Sequence, residues 1–289
     1  MFPEKAVSVR GVVTASSYPS EDKILSKSMR WHWVAFGYVA YLAIVSFTRS
    51  EFAAARVKLL VSVAVAGILT VLAPHFATAL DVIVPGAVLL GLYWLTGLLY
   101  VRTDHCIESK LLSMDGRLLG RTGLFARYRR SPQALREYLE ACYLLVYPAL
   151  PAGAVALVAG GQRGVLDWYW TAVIFAEVAC FSTLPWVQTR PPMRLEPSQT
   201  KIARVGPFRQ WNQLIAARAS IKATTIPSGH AAGSMAAALV ISTVMPLTGA
   251  VFLLLAFSIA VAIVMGRYHF LLDSVLGIAV AVVAVLVTR

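Results

Sequence analysis

Long apolar segments alternate with shorter polar ones along most of this chain. Each apolar segment extends over about 17 to 22 residues, and a helix needs about 20 residues to cross the hydrocarbon core of a bilayer. The pattern therefore predicts an all-α, polytopic bundle of membrane helices. We count eight candidate spans, at approximately residues 31–48, 57–74, 80–101, 139–160, 166–186, 230–246, 249–265 and 270–288.

The composition supports a multi-pass protein of the cell membrane. Hydrophobic residues make up 58% of the sequence and charged residues only 14%, whereas charged residues are about a quarter of an ordinary soluble domain. The first thirty residues contain no contiguous apolar stretch, so we expect no cleavable signal peptide.

The formal net charge of +12 comes from lysines and arginines that lie mainly in the loops beside the spans. We therefore expect membrane lipids and a phosphorylated substrate as partners, and no nucleic acid. Most of these basic residues fall in the loops that follow the first, third, fifth and seventh spans, and the positive-inside rule would place that face in the cytoplasm. The sequence indicates no particular oligomeric state.

Two polar loops are long enough to hold structure of their own. The loop at 102–138 carries apolar residues at spacings of three and four, which predicts an interfacial helix on anionic lipid, although an irregular basic loop is the alternative. These residues are Ile107, Leu111, Met114 and Leu118. The loop at 187–227 is strongly basic, which would concentrate a phosphorylated substrate nearby.

Polar residues suited to catalysis lie where three of the apolar segments begin or end. Arg190 follows the fifth span, Pro227–His230 opens the sixth, and Arg267–Asp273 joins the seventh to the eighth. Ionisable residues are costly near a bilayer core unless they are used. Because the sixth span crosses away from this face and the seventh returns, we expect all three segments to meet on one face.

His269 and Asp273 are four residues apart, which is the spacing of neighbours on one face of a helix. The carboxylate could accept the imidazole N–H, fix the tautomer and leave the other ring nitrogen as a nucleophile. The alternative is a buried histidine and a helix-terminal aspartate that only satisfy each other.

His230 follows a proline, a capping hydroxyl at Ser228 and a glycine at Gly229, a combination that predicts a helix start with free N–H groups facing an anion. His230 could give a proton to a departing alkoxide there. An ordinary capped helix start is the alternative.

Arg190 and Arg267 offer planar, permanently charged groups suited to phosphate oxygens. An arginine at the end of a span is also a common interfacial anchor. Glu177, inside the fifth span, is either functional or hydrogen-bonded to a neighbouring helix.

The segment Pro227–His230, followed by His269 and Asp273, resembles the second and third motifs of the type 2 phosphatidic acid phosphatase (PAP2) superfamily. Arg190 with the proline after it resembles the end of that family's first motif. The resemblance implies a six-span PAP2-like catalytic core. The resulting division is a polar tail at 1–30, two additional spans at 31–80 and the core at 81–289.

The resemblance also implies a role for each motif residue. His269 would be the nucleophile that forms a phosphohistidine, Asp273 its orienting partner and His230 the acid for the leaving group. No metal and no other cofactor is implied, since arginines and helix N-termini supply the positive charge. The phosphate would be held by Arg190, Arg267, Ser228 and the N–H of Gly229.

Two features depart from the family's pattern. Thr183 stands seven residues before Arg190, where the first motif has a lysine, so one phosphate ligand is missing or replaced. Arg267 lies two residues before His269, a spacing similar to that of the inositol phosphorylceramide and sphingomyelin synthase branch. The basic residues that could replace the lysine are Lys201, Lys222 and Arg194.

These features predict an integral membrane lipid phosphatase that hydrolyses a phosphomonoester or a diphosphate through a phosphohistidine. One alternative is a lipid phosphotransferase, similar to inositol phosphorylceramide synthase, that moves a phospho-head group to an alcohol. Another is a transporter or scaffold that binds phosphate without catalysis. Histidines at two separate span ends argue against it, because binding alone needs only arginines and amides.

Overall fold

The computed structural model describes residues 30–72, 81–196 and 205–289. Twelve α-helices account for most of these residues, and no β-strand occurs among them. The prediction of an all-α bundle is therefore confirmed. The predicted polar tail up to residue 29, and Lys201 in the second polar loop, lie outside the described residues.

The helices are numbered here in chain order. They are α1 Trp31–Val45, α2 Arg56–Leu72, α3 Val84–Gly97, α4 His105–Asp115, α5 Leu124–Arg130, α6 Gln133–Ala159, α7 Leu166–Phe181, α8 Pro192–Leu195, α9 Pro207–Arg218, α10 Gly229–Val244, α11 Pro246–Met265 and α12 Leu271–Val287.

Four helical segments of the described chain are long and apolar enough to cross a membrane, and they contain α2, α6, α7 and α11. Four further apolar helices, α1, α3, α10 and α12, have between 10 and 17 residues. Each of these eight helices overlaps one of the predicted spans, and apolar helices of this kind are what a membrane protein requires. Because half of them are shorter than a full crossing, the number of eight spans stays a prediction.

The outer surfaces of several helices are apolar and exposed. Leu60 and Ile68 on α2, Leu247 and Leu254 on α11, and Leu286 on α12 all expose between 49% and 84% of their surface. Exposed apolar area on this scale is unfavourable in water but suits the hydrocarbon core of a bilayer. The exposure therefore agrees with a lipid-facing role for these helices.

Helix α10 occupies the centre of the bundle, in contact with α6, α7, α11 and α12. Its sequence is rich in glycine, alanine and serine, and small side chains let membrane helices approach closely. Ala232, Ala236 and Val240 are fully buried along it. This packing fixes the first turn of α10, which carries His230, against the ends of its neighbours.

The predicted interfacial helix is present only in part. Helix α4 is followed by a π-helical turn at Gly116–Gly120 and by α5, and α6 begins at Gln133, before the predicted start of its span. Leu111 is buried, whereas Met114 and Leu118 are 40% and 53% exposed. The helical part of the prediction agrees with α4, whereas contact of this segment with anionic lipid stays a prediction.

Candidate active site

The turn between α11 and α12 carries His269. Helix α11 ends at Met265 and α12 begins at Leu271, so the prediction that His269 and Asp273 share one helical face was wrong. His269 instead lies in the connecting turn, and Asp273 lies in the first turn of α12. The Asp273 carboxylate accepts the backbone N–H of Phe270 at 3.1 Å and lies 3.3 Å from Nδ1 of His269. The predicted contact between His269 and Asp273 is present. It joins a residue of the turn to a residue in the first turn of α12, rather than two residues on one helical face.

A threonine that the sequence did not suggest completes the surroundings of His269. Oγ1 of Thr224 lies 2.7 Å from the same Nδ1. The Thr224 backbone N–H donates to the carbonyl of Thr189 at 2.8 Å, which places the first-motif segment beside the segment leading to α10. Two polar groups thus converge on Nδ1, whereas Nε2 of the ring makes no hydrogen bond to any described residue. No spacing rule marks Thr224, because tertiary packing alone brings it to His269.

His269 is only 5% exposed. Burial lowers the pKa of its imidazole well below the ordinary value, because the charged form would lose its hydration. The ring is therefore neutral at neutral pH. A neutral imidazole has a free lone pair on one nitrogen, which a nucleophile requires.

His230 lies in the first turn of α10, and its ring centroid is 5.5 Å from that of His269. The rings of Tyr143 and Tyr147 lie 5.4 and 6.0 Å from it. His230 is partly exposed, unlike His269. The two rings are therefore close neighbours, with His269 buried and His230 partly exposed as a residue.

Ser228 joins the second motif to the third. Its backbone N–H donates to the carbonyl of Asp273 at 2.9 Å, and its hydroxyl caps α10 by accepting the N–H of Ala231 at 3.5 Å. The predicted capped helix start is present. The bond between the Ser228 N–H and the Asp273 carbonyl fixes the N-terminus of α10 relative to the N-terminus of α12. The groups that surround the two histidines are therefore held together.

Two glycines permit the close approach of helices around this site. A Cβ atom on Gly277 of α12 would lie 2.5 Å from the Ser228 carbonyl oxygen. A Cβ atom on Gly229 would lie 2.3 Å from Oε2 of Glu177 and 2.7 Å from the ring of Phe181. Side chains at these positions would push α12 and α7 away from the start of α10.

Arg190 is bound by a carboxylate of α4. Its Nε and Nη2 atoms donate to Glu108 at 3.0 and 2.9 Å, and its backbone N–H donates to the same carboxylate at 2.9 Å. Burial raises the pKa of Glu108, but the hydrogen bonds and charge of Arg190 outweigh that effect and hold the pKa below its usual value. Arg190, the predicted phosphate ligand, is thus in an ion pair, and its Nη1 makes no hydrogen bond to any described residue.

Arg267 is bound by two carboxylates and is only 4% exposed. Its Nη1 donates to Asp115 at 2.8 Å, and its Nη2 donates to Glu196. The guanidinium lies over the ring of Phe125, with 4.7 Å between its carbon and the ring centroid. Both arginines that were expected to hold phosphate therefore carry carboxylate partners.

Helix α4 supplies an acid to each arginine. Glu108 and Asp115 are seven residues apart, or about two turns of helix, so they lie on one face. Neither acid was predicted to contribute to the site, because the apolar residues of this segment suggested only an interfacial helix. Two acids at a spacing of seven in an otherwise basic, amphipathic stretch were the available signal.

Three buried polar atoms near His269 have no hydrogen-bond partner within the described residues. They are Oγ1 of Thr189, Nε of Arg267 and Oδ1 of Asp273. Buried polar atoms are nearly always satisfied, and an orphaned one calls for a ligand or a water molecule. All three belong to residues of the motif segments or to Thr189, the neighbour of Arg190 in sequence.

Two of the three possible replacements for the missing first-motif lysine, Lys222 and Arg194, lie in the described part of the chain. The Thr183 hydroxyl donates to the Cys180 carbonyl at the end of α7. Lys222 and Arg194 are exposed, and in the described part of the chain neither side chain bonds to a motif residue. The long side chain of Arg194 only approaches the carbonyl of Ala216, at 3.5 Å.

A buried hydrogen-bond network holds the turn that carries His269. Nη1 of Arg209 on α9 donates to Glu140 of α6 at 2.6 Å and to the Gly266 carbonyl at 3.1 Å. The hydroxyl of Tyr268 donates to the same Glu140 at 2.6 Å, and its ring stacks on that of Tyr143. The network ties the basic loop and α6 to the residues that flank His269.

Fold and site together define a helical membrane protein in which two histidines lie close together at the start of one central helix. The chain belongs to the PAP2 superfamily, whose family model matches residues 109–287. This match confirms the resemblance found in the motifs. Comparisons with curated proteins and with solved structures gave no match. Because the match begins at residue 109, the predicted core boundary at residue 81 stays a prediction.

Proposed function

We propose that this protein is a membrane enzyme that cleaves a phosphate ester of a lipid through a phosphohistidine at His269. The observation that carries the proposal is the 5.5 Å separation between the rings of His230 and His269. One ring is buried with Nδ1 occupied, which leaves Nε2 as the nucleophile, and the other is accessible as a proton donor. Binding of phosphate would need neither feature.

In the first step, Nε2 of His269 attacks the phosphorus atom and a P–N bond forms. The P–O bond to the leaving alcohol breaks, and the departing alkoxide takes a proton from His230. In the second step, His230 takes a proton from the acceptor hydroxyl, whose oxygen attacks phosphorus while the P–N bond breaks. Asp273 and Thr224 hold the imidazole through Nδ1 in both steps.

The phosphate oxygens would be held by donors that the fold leaves available. These are Nη1 of Arg190, Nε of Arg267 and the N–H groups at the start of α10, beside Ser228 and Gly229. Donors fixed in place before the reaction stabilise developing charge without reorganisation. Three sources of positive potential around one phosphorus atom would supply the charge stabilisation of the transition state.

Hydrolysis of a lipid phosphomonoester or diphosphate, with water as acceptor, is the first candidate reaction. The test is release of inorganic phosphate from a panel of lipid phosphates by the purified protein in detergent. His269→Ala and His230→Ala should each reduce release by a factor of about 10³ or more. Radiolabelled phosphate should be trapped on the wild-type chain after acid-free quenching, and not on His269→Ala.

The matched control is His32→Ala, which removes a histidine from α1, where its ring lies against Trp31. This variant should keep wild-type turnover. Phosphate release that survives both His269→Ala and His230→Ala would refute the proposed chemistry.

Transfer of a phospho-head group to an alcohol is the second candidate reaction, and the carboxylates around the arginines favour it. Glu108, Asp115 and Glu196 offset the charge of Arg190 and Arg267. A phosphodiester carries about one negative charge at neutral pH. A phosphomonoester such as phosphoserine carries about 1.5 to 2 negative charges. A site with offset arginines suits the lower charge.

A test with acceptors separates the two reactions. The enzyme is given a radiolabelled phospholipid donor and an alcohol such as inositol or diacylglycerol, and the lipid products are separated. A new phosphodiester that forms only with the alcohol present supports transfer. Inorganic phosphate as the only product, whichever alcohol is offered, supports hydrolysis.

A further inference from the structure

A polar cleft of about 580 Å³ lies beside the candidate active site and shares none of its motif residues. Its volume falls in the range of small-molecule binding sites. The connection between α1 and α2, the connection between α3 and α4, and the segment after α7 form its walls. The side chains that matter for the argument are Arg49, Glu51, Arg102, His105, Trp186 and Gln188.

Two arginines of this cleft carry no carboxylate partner. Within the described residues, the guanidinium groups of Arg49 and Arg102 make no ion pair, in contrast to Arg190, Arg209 and Arg267. The Arg49 guanidinium is positioned by aromatic rings, at 5.4 Å from the centroid of Trp186 and 5.8 Å from that of Phe52. An arginine without an ion-pair partner attracts an anion. Asp104, which also lines the cleft, is occupied as the cap of α4, where it accepts the N–H groups of Cys106 and Ile107.

The backbone around the cleft is held rigidly. Oε1 of Gln188 accepts the N–H groups of Val101 and Arg102 at 2.8 Å each, and its Nε2 donates to the carbonyl of Leu99 at 2.8 Å. These bonds fix the segment that carries Arg102 to the segment that carries Trp186. A fixed frame means that a ligand need not order the walls of the cleft when it binds.

The cleft also touches the candidate active site through a chain of contacts. Nδ1 of His105 lies 3.2 Å from Glu108, and Glu108 in turn binds Arg190. Arg49 and Glu51 belong to a part of the chain before residue 109, where the family match begins. The connection between α1 and α2, which carries these two residues, thus forms one wall of a cleft beside the candidate active site.

We propose that this cleft is a second binding site, which takes a phosphate ester of a polyol. Arg49 and Arg102 bind the phosphate, and Glu51, which has no ion-pair partner in the described part of the chain, accepts hydroxyl groups. The ligand is either the head group of an anionic phospholipid or a soluble polyol phosphate, because both carry this chemistry. The proposal does not depend on catalysis at His269.

The test measures binding to the full-length purified protein without any turnover. In one arm, radiolabelled glycerol 3-phosphate is bound at equilibrium in detergent. In the other arm, the protein is placed in nanodiscs of phosphatidylcholine with a small fraction of phosphatidylglycerol, and native mass spectrometry counts the phosphatidylglycerol retained. Arg49→Gln with Arg102→Gln should weaken binding by about tenfold or more in the arm that holds the true ligand, since two charge-assisted contacts are lost.

The matched control is Arg218→Gln on α9, an exposed arginine outside the cleft, which should change binding less than twofold. His269→Ala should bind as the wild type does, so that failure of the proposed catalysis leaves this result intact. If the double variant fails to fold, the single variants Arg49→Gln and Arg102→Gln apply the same criterion at about threefold each. Equal binding by the wild type and the cleft variants in both arms would overturn the proposal.

Discussion

The ring of His230, at the start of α10, lies 5.5 Å from the ring of His269 in the turn before α12. The two residues are 39 positions apart in the sequence. The segments that carry them are joined by the hydrogen bond from the Ser228 N–H to the Asp273 carbonyl. At this distance the two rings are close neighbours. In the proposed mechanism, this proximity lets His269 act as the nucleophile and His230 as the acid on one ester bond.

Asp273→Asn tests whether the carboxylate orients His269. The asparagine keeps the size of the side chain and can still accept the Phe270 N–H, so the protein should fold. Turnover should fall by about 10² or more, because an amide can present its NH₂ group to Nδ1 and so favour the wrong tautomer. The measurement is kcat in detergent with the melting temperature as a folding check. Unchanged turnover would mean that Asp273 only caps α12.

Thr224→Val tests the hydroxyl that lies 2.7 Å from Nδ1 of His269. Valine has nearly the same shape but cannot bond to the ring, so kcat should fall by about tenfold, the value of one hydrogen bond to a buried group. KM should change little, because in the proposed mechanism Thr224 acts on His269 rather than on the substrate.

Thr224→Ser is the matched variant, since it restores the hydroxyl without the methyl group. It should recover most of the lost kcat. Equal losses for valine and serine would assign the effect to packing rather than to the hydrogen bond.

Glu196→Gln tests the effect of the carboxylates on substrate charge. Glu196 binds Arg267 from the surface, with its side chain 32% exposed, so its neutralisation should leave the fold intact. The ratio of kcat/KM for a lipid phosphomonoester to that for a phosphodiester should rise by about three- to tenfold, since the site gains positive charge. Glu137→Gln, which alters an acid that binds the Phe208 N–H, should leave the ratio unchanged. A ratio that falls in Glu196→Gln would contradict the charge argument.

Gly277→Ala tests the close approach of α12 to the start of α10. The added Cβ would lie 2.5 Å from the Ser228 carbonyl oxygen, and backbone cannot yield as a flexible side chain does. We expect a destabilisation of about 1–3 kcal/mol, with reduced turnover, in thermal unfolding and activity assays. Gly91→Ala on α3 is the control, because no atom lies within 4 Å of its added Cβ. It should be neutral, and equal effects of the two would refute the packing argument.

The ion pair between Glu108 and Arg190 predicts a dependence of stability on pH. The folded-state pKa of Glu108 is below its usual value, so the pair stabilises the fold above the unfolded-state pKa of about 4.3. That contribution is lost as the pH falls through the folded-state pKa. The melting temperatures of the wild type and Glu108→Gln should therefore differ most near neutral pH and converge in acid. A difference that grows as the pH falls would contradict the sign of this shift.

The sequence by itself determined the class of fold and the identity of the motif residues. Apolar runs of about the length of a membrane helix predicted the eight apolar helices of the described residues, because hydrophobic length is a local property. Proline, serine and glycine before His230 predicted the start of α10 for the same reason. The spacing of His269 and Asp273 predicted their contact, although the helix begins later than the spacing suggested.

Tertiary structure alone decided which groups surround the motif residues. Thr224, Glu108 and Asp115 are 45, 82 and 152 residues in sequence from the residues they bind, His269, Arg190 and Arg267. No periodicity relates positions so far apart, because packing of the helices determines these contacts. The sequence identified arginines suited to phosphate, and only the packed bundle showed that α4 offsets their charge while Arg49 and Arg102 keep theirs.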